Sequence, residues 1–566
     1  MVQHFKYLSK VQETYLLGAI FNIINLIIIF YSSFYGLDLS DESFYFLGYC
    51  YSSNNFGLKP WLFHLAYNSL FSNFNFNLLE VRLLRFTITI ISTIVIFFAL
   101  NIALKPKKLK EKIFLFNILL SAMLLGYCIG PLAISYNTMS SIFLVLVSGI
   151  WLLSKYKRKN KLSFIYFILI GFFLVLGIYS KLTVVIVLLY IIFFEYNRFK
   201  FNMYTKTYYV RSLINIISFA VGGLFAMLLM SKSIHGVVSL STRLLSDTFQ
   251  MSNTESHSFN RLFSVYFENI KDVFWSLKLY LIALFIAFFL KKKNGNTKPF
   301  FITISTLILL DILIRKQYWF HGESKLFFIN IYIIIFLLIL LFKNRSSTNL
   351  SMFFLGLVPV LVSAGTQNPL SSQILFYAIF YFLIIYLCSI ELKSKKWTYI
   401  LLNITILIST IQTISSLVIH PYRKATISNC QYKIKDNERL NNLYVDSRTK
   451  NLKDKLSFLD TLKQGQIYTY ASLSGIALLI NKPPISLDWL EQKTIEKSCE
   501  ALANPNLDPK KIIFLIPEDQ PIKKEVIKCM TDRNIQFKKN YKIVKKINYF
   551  DFSQNKENNL FVYLYN

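Results

Sequence analysis

Asp38-Leu-Ser-Asp41-Glu42-Ser-Phe44-Tyr45 puts three carboxylates into five residues, directly after the first long apolar run. The rest of the chain is poor in acid and rich in Phe, Ile and Leu. Acids beside a lipid boundary are costly to desolvate, so a cluster placed there calls for a reason. It makes residues 31–86 the stretch from which the remainder is read. The expectation is an acidic loop on the outer side of a membrane, held by a helical scaffold and followed by a separate tail.

Working outward, 566 residues suffice for two or more domains, and 54% of them are hydrophobic. Many apolar runs reach about 20 residues, the length that crosses roughly 30 Å of hydrocarbon. The net charge of +32 would suit nucleic acid. The Lys and Arg lie instead in short clusters between apolar runs, which is the positive-inside pattern and argues against nucleic acid as a partner. The fold expected is an α-helical polytopic membrane protein of about thirteen transmembrane helices over residues 1–420, with a small extracytoplasmic α/β domain over 421–566. The first span is placed at 15–30, the second at 86–104, the seventh at 214–230, the ninth at 300–314 and the last at 399–419. Lys and Arg number roughly 25 in the assumed inner loops and roughly 11 in the outer ones. That asymmetry places the N-terminus in the cytoplasm and the C-terminal domain outside the inner (plasma) membrane. The first run lacks a small-residue cleavage site and reads as an uncleaved span.

In the tail, 466–470 and 511–516 read as buried strands, and 475–480 and 522–529 as helices. No GxGxxG, P-loop or HExxH occurs. The six cysteines show no CxxC or Cys/His metal spacing. Cys128 and Cys388 fall in apolar segments and read as packing residues, while Cys430, Cys499 and Cys529 allow one disulfide whose pairing stays open.

Each polar constellation has a plain reading and a chemical one. Asp38, Asp41 and Glu42 are either a solvated cap at the end of a span or a general base with its anchors. Arg82 and Arg85, three apart and so on one helix face, either snorkel to head groups or, with Lys59, clamp a lipid-linked phosphate. Lys181 lies on the outer side, where the sidedness rule does not favour lysine, and is a second phosphate candidate. Tyr136-Asn137 and Gln367-Asn368 are polar loop ends suited to sugar hydroxyls or to turns. Asp311 sits four residues before Arg315, and an intrahelical pair accounts for it. His235, His257 and His321 have no ligand spacing, so no metal residue is assigned. Residues 59–71 carry apolar positions at helical spacing and read as a helix in the interface plane.

Three features occur in order: Asp41-Glu42 just past the first span, Lys59-Pro60 before an interfacial helix, and Leu79-Glu-Val-Arg82 leading into the second span. This order resembles the GT-C glycosyltransferases, nearest the protein O-mannosyltransferases and the lipid A aminoarabinose transferase, and it extends to about residue 420. The resemblance implies a polytopic transferase with its site in the first outer loop. Asp41 would match the family's essential acid, Glu42 its second acid, and Lys59 a lysine on the donor phosphate. The donor would be a polyprenyl-phosphate-linked sugar, the acceptor a lipid, glycan or protein, with membrane lipids as surroundings. Phe44 stands where the aminoarabinose transferase has Arg, Leu58 where it has a metal-binding Glu, and 130–137 carries no acid. No cofactor is therefore certain, and a divalent metal, the sugar and the acceptor stay open. An O-antigen polymerase or ligase would centre instead on Arg243, His257 and Arg261, and a lipid-linked sugar flippase on charges spread along the spans.

Overall fold

A computed structural model of the chain describes residues 2–51, 61–106, 108–156, 163–188, 206–253, 356–363, 373–390, 395–462, 465–470, 473–487, 490 and 495–566, with isolated positions between 264 and 314. The first helices are α1 (Val2–Ser32), α2 (Asp41–Cys50), α3 (Leu62–Phe71), α4 (Leu78–Leu104), α5 (Leu109–Leu124), α6 (Tyr136–Tyr156) and α7 (Ser163–Ser180). Two compact units form: Met1–Ile29, Thr87–Ile129 and Tyr136–Leu417 make one, and Phe30–Phe86, Gly130–Ser135 and Val418–Asn566 the other.

The first unit is helical. Segments rich in Leu, Ile, Phe and Val close every backbone hydrogen bond within themselves, which is the condition for crossing lipid. Among the described residues, Leu78–Leu104, Tyr136–Ser154, Val210–Ser231 and Leu402–Ile419 are long and apolar enough to span a membrane, and Leu16–Ser32, Phe164–Ser180 and Ile374–Leu387 are shorter apolar helices. The chain is thus mostly helical with several membrane-length helices. The expected eighth to tenth spans lie outside the described residues but for isolated positions such as Leu310, Leu313 and Ile314. Ile216, Leu224 and Phe225 stay exposed on the helix Lys206–Ser231, as lipid-facing side chains do. The interior is built from Leu115 and Ile118 of α5, Leu144 of α6, Ile170 of α7 and Tyr381 and Ile384 of the helix Ala378–Ile390. At Gly171 and Gly222 the backbones of α7 and Lys206–Ser231 come so close that a Cβ would meet Phe219 O at 2.0 Å and Ile168 O at 1.9 Å. Small residues at such crossings let helices pack without side chains between them.

The second unit joins residues 30–86 and 130–135 to the tail. Tyr444 donates its N–H to Phe34 O (2.8 Å) and accepts from Gly36 N (2.7 Å), so residues 34–36 lie along the strand β2 (Tyr444–Asp446), which pairs with β1 (Cys430–Lys433). Gly475 N donates to Leu39 O at 2.7 Å, and a Cβ at Gly475 would lie 2.5 Å from Leu39 Cα. Only glycine tolerates that approach. The main sheet has the order β3-β4-β6-β5, with β3 (Gln466–Thr469) parallel to β4 (Ile512–Pro517), and β6 (Lys556–Tyr565) antiparallel to both β4 and β5 (Tyr541–Asp551). Helices Gly475–Leu479 and Lys524–Asp532 fall where apolar spacing places them. Sequence reading does not find the β5–β6 hairpin. A register shift between Ile543 and Lys545 interrupts the alternation of β5, and its inward Ile547 and Tyr549 are flanked by exposed polar residues.

Candidate functional site

The acidic stretch begins α2. Asp38 accepts the backbone N–H groups of Ser40 (2.8 Å) and Glu42 (3.1 Å), and its own carbonyl accepts the Ser43 hydroxyl (2.6 Å). These bonds satisfy free donors of the first helical turn, where an acid is also favoured by the helix dipole. Asp38 thereby becomes a buried anchor rather than a solvated cap. Burial pushes its carboxyl up to about 7, with Asp41 adding to the shift, Arg423 opposing it and Glu42 adding again.

Glu42 points inward and is gripped by Arg82. Nε donates to Oε1 at 2.9 Å, Nη2 donates to Oε2, and the Ala133 N–H donates to Oε1 at 2.8 Å. The remaining guanidinium donors reach Ser33 O and Gly36 O, each at 2.8 Å. Burial alone would raise the Glu42 carboxyl, but the Arg82 charge and hydrogen bonds hold it below the usual carboxylate range. Arg82 was expected to clamp a phosphate. Its donors are instead taken up by Glu42 and the carbonyls of Ser33, Tyr35 and Gly36, because a buried carboxylate needs a fixed, bidentate counter-charge. Arg85, one turn on and also buried, donates through Nη1 to Pro131 O (2.5 Å) and Ala133 O (3.4 Å). With Tyr49 Oη on Ile134 O (2.6 Å), it ties residues 130–135 to this loop.

Asp41 differs from its neighbours in keeping 21% of its side chain exposed. Arg423 Nη1 donates to its Oδ1 at 2.8 Å and to Ser40 Oγ at 2.7 Å, and Tyr422 Oη donates to its Oδ2 at 2.5 Å. Lys424 Nζ donates to Tyr35 O at 2.8 Å, and burial, with Arg82 nearby, draws its ammonium down to about 7. Sequence reading misses Tyr422, Arg423 and Lys424, which lie about 380 residues from Asp41 and at the start of what reads as a tail. The usable signal is a pair of basic residues just past the apolar helix Leu402–Ile419, at a place where the expected sidedness does not favour Lys or Arg, the same anomaly that singled out Lys181.

His64 is also missed. It is fully buried, with Nδ1 accepting Trp61 N at 3.3 Å, and a Cβ on Gly48 would lie 2.0 Å from its ring. Burial draws its imidazole down to about 3, so it is a neutral packing group.

In the helical unit three predicted residues come together. Lys181, only 8% exposed, donates to Asn137 Oδ1 (3.0 Å) and Gln373 Oε1 (3.4 Å), and its Nζ lies 5.8 Å from the Tyr136 ring and 5.6 Å from the Tyr377 ring. Neutral amides and aromatic faces surround a cation that pairs with no carboxylate among the described residues. Arg243 pairs with Asp247 one turn along its own helix, at 3.2 Å. Lys59, His257, Arg261, Asp311, Arg315, His321, Gln367 and Asn368 lie outside the described residues. Cys499 is bonded to Cys529, which resolves the pairing in the tail, and Cys430 is a buried free thiol. No group of three or more His, Cys, Asp or Glu converges among the described residues. Each of the acids Asp38, Asp41 and Glu42 already has protein donors.

The arrangement can hold one partly open carboxylate in a fixed orientation, backed by two buried acids that are satisfied internally. No family model matches this sequence, and no curated protein matches it significantly.

Proposed function

We propose that the chain is an integral-membrane glycosyltransferase that moves a sugar from a polyprenyl-phosphate donor to an extracytoplasmic acceptor, with Asp41 as its catalytic carboxylate. The observation carrying this reading is the division of labour in the loop. Asp38 and Glu42 are buried and committed, while Asp41 keeps an open edge and an enforced orientation. A lone pair of the acceptor oxygen forms the bond to the anomeric carbon. The bond from that carbon to the phosphate oxygen breaks, its electron pair leaves on polyprenyl phosphate, and the acceptor proton passes to Asp41. Glu42 and Arg82 act as the girder beneath α2. The Cys499–Cys529 bond favours an oxidising, extracytoplasmic side for the tail. In the helical unit, Lys181 with Asn137 and Tyr136 suits an anion such as a phosphate, an assignment independent of Asp41.

The test is release of polyprenyl phosphate by purified protein in detergent, given extracted polyprenyl-phosphate sugars and an envelope acceptor fraction, with Asp41→Asn beside wild type. Release by wild type alone supports the reading. Release by both proteins keeps a transferase and removes Asp41 from its chemistry. No release from any donor, with an acceptor fraction proven on another transferase, overturns the assignment.

A further inference from the structure

Asp41 has no idle oxygen: Arg423 holds Oδ1 at 2.8 Å and the Tyr422 hydroxyl holds Oδ2 at 2.5 Å. Each carboxylate oxygen can take a second donor, as Glu42 Oε1 does from Arg82 and Ala133, but the lone pair that best directs an incoming O–H is the one a present donor already holds, so the substrate competes with one of the two partners. The two partners are unequal. Arg423 also bonds Ser40 Oγ at the start of α2, and its guanidinium lies 5.0 Å from the Tyr422 ring. The phenol has Asp41 as its hydrogen-bond acceptor, and its ionisation is pushed up by burial and by the Asp41 charge, so it remains an O–H donor. Arg423 adopts the left-handed backbone region, with φ +47, which is uncommon for a residue with a side chain. Adjacent side chains of an extended strand diverge to opposite faces, whereas at this bend two consecutive ones reach a single carboxylate. Strain of this kind persists where surrounding contacts hold it and is concentrated at functional sites.

We infer that the Tyr422 hydroxyl occupies the place of the acceptor hydroxyl, so that Oδ2 of Asp41 is the acceptor-binding atom, Arg423 is the positioning residue that keeps Oδ1 throughout, and the acceptor is an alcohol rather than an amine. This rests on the transferase reading above. An incoming alcohol replaces one neutral O–H donor with another and leaves the local charge unchanged. An amine arrives protonated, without the lone pair that attacks; it would have to lose that proton first, and the Arg423 guanidinium already supplies the cation Asp41 pairs with, so a second cation gains little there. During transfer the alcohol oxygen bonds to the anomeric carbon, its proton goes to Oδ2, and the phosphate oxygen departs with the electron pair of the broken bond.

The experiment measures polyprenyl phosphate release from polyprenyl-phosphate hexoses, with glycerol as a surrogate alcohol, ethanolamine as a surrogate amine and water as the background acceptor. Tyr422→Phe keeps the ring and removes only the competing O–H. It is expected to lower the half-saturating glycerol concentration about tenfold, and to raise release to water, with the donor half-saturation unchanged. Arg423→Lys, which keeps the charge and loses the fork, is expected to raise the glycerol half-saturation instead. Ethanolamine is expected to react through its hydroxyl. Wild-type turnover with an unchanged or weakened glycerol response in Tyr422→Phe would overturn this inference while leaving the transferase standing, as would an amine-linked product. Absence of release by wild type with every acceptor would overturn both. A melting temperature equal to wild type shows each variant folded, and Tyr422→Met replaces Tyr422→Phe should that variant melt early.

Discussion

The pair that holds α2 in place offers the most quantitative test. Arg82 and Glu42 are 0% and 1% exposed, and their contact includes a fork of two charge-assisted hydrogen bonds. Glu42→Met fills a similar volume and removes the carboxylate. The guanidinium would then stay buried with the carbonyls of Ser33, Gly36 and, at 3.5 Å, Tyr35, and the Ala133 N–H would lose its acceptor. Breaking one side of a buried pair costs about 3–5 kcal/mol, and the unsatisfied N–H adds to it. For a unit of this size each kcal/mol lowers Tm by about 2–4 °C, so the single variant should melt roughly 12 °C early. The double variant Glu42→Met/Arg82→Met removes both charges and leaves only unpaired backbone groups, so it should melt about 6 °C early, less than either single change. The measurement is loss of the monodisperse gel-filtration peak of detergent-solubilised protein after heating, at one fixed rate so that the variants are compared alike. A double variant whose loss equals the sum of the two singles would refute the coupling, and with it the view that Glu42 and Arg82 act as one structural element.

Three further outcomes follow from the same geometry. Asp38, raised to about 7, is protonated more readily in the folded than the unfolded chain. Stability should therefore fall as pH rises from roughly 4 towards 7. Asp38→Asn removes the titrating group but keeps an oxygen for only one of the two N–H groups, since Ser40 N uses Oδ1 and Glu42 N uses Oδ2; it should lower Tm throughout and flatten that slope in a Tm-versus-pH series, and a persisting slope would exclude Asp38 as its source. Lys181→Met should raise Tm by removing a buried unpaired cation, yet increase the donor half-saturation about tenfold, and a loss of Tm with unchanged donor affinity would count against a phosphate role. Removing the Cys499–Cys529 bridge, whose cysteines are 30 residues apart, should cost about 3 kcal/mol. Intact-mass labelling that finds both thiols free in protein isolated from the envelope would contradict the outer placement of the tail.

What the sequence by itself determined was whatever depends on local pattern and on the solvent of each segment. Runs of Leu, Ile and Phe long enough to cross lipid declared the helical unit, because a bilayer rewards apolar length whatever the partners. The apolar run at 511–516 declared the strand Ile512–Pro517, since a buried central strand is apolar on both faces, and the β-favouring Ile-Tyr-Thr of 466–470 declared Gln466–Thr469 at the edge of the same sheet. The acids 38, 41 and 42 were conspicuous because carboxylates beside an apolar run are expensive to place. Only the tertiary structure decided what each acid does. Nothing local distinguishes Asp38, bonded to its own helix turn, from Glu42, paired with Arg82 some 40 residues on, or from Asp41, held by Tyr422 and Arg423 from beyond the last span. An ion pair depends on distance and on the loss of water around it. Both are set by packing that brings Gly475 onto Leu39 and Tyr444 onto Phe34, contacts whose sequence separation leaves no periodic trace.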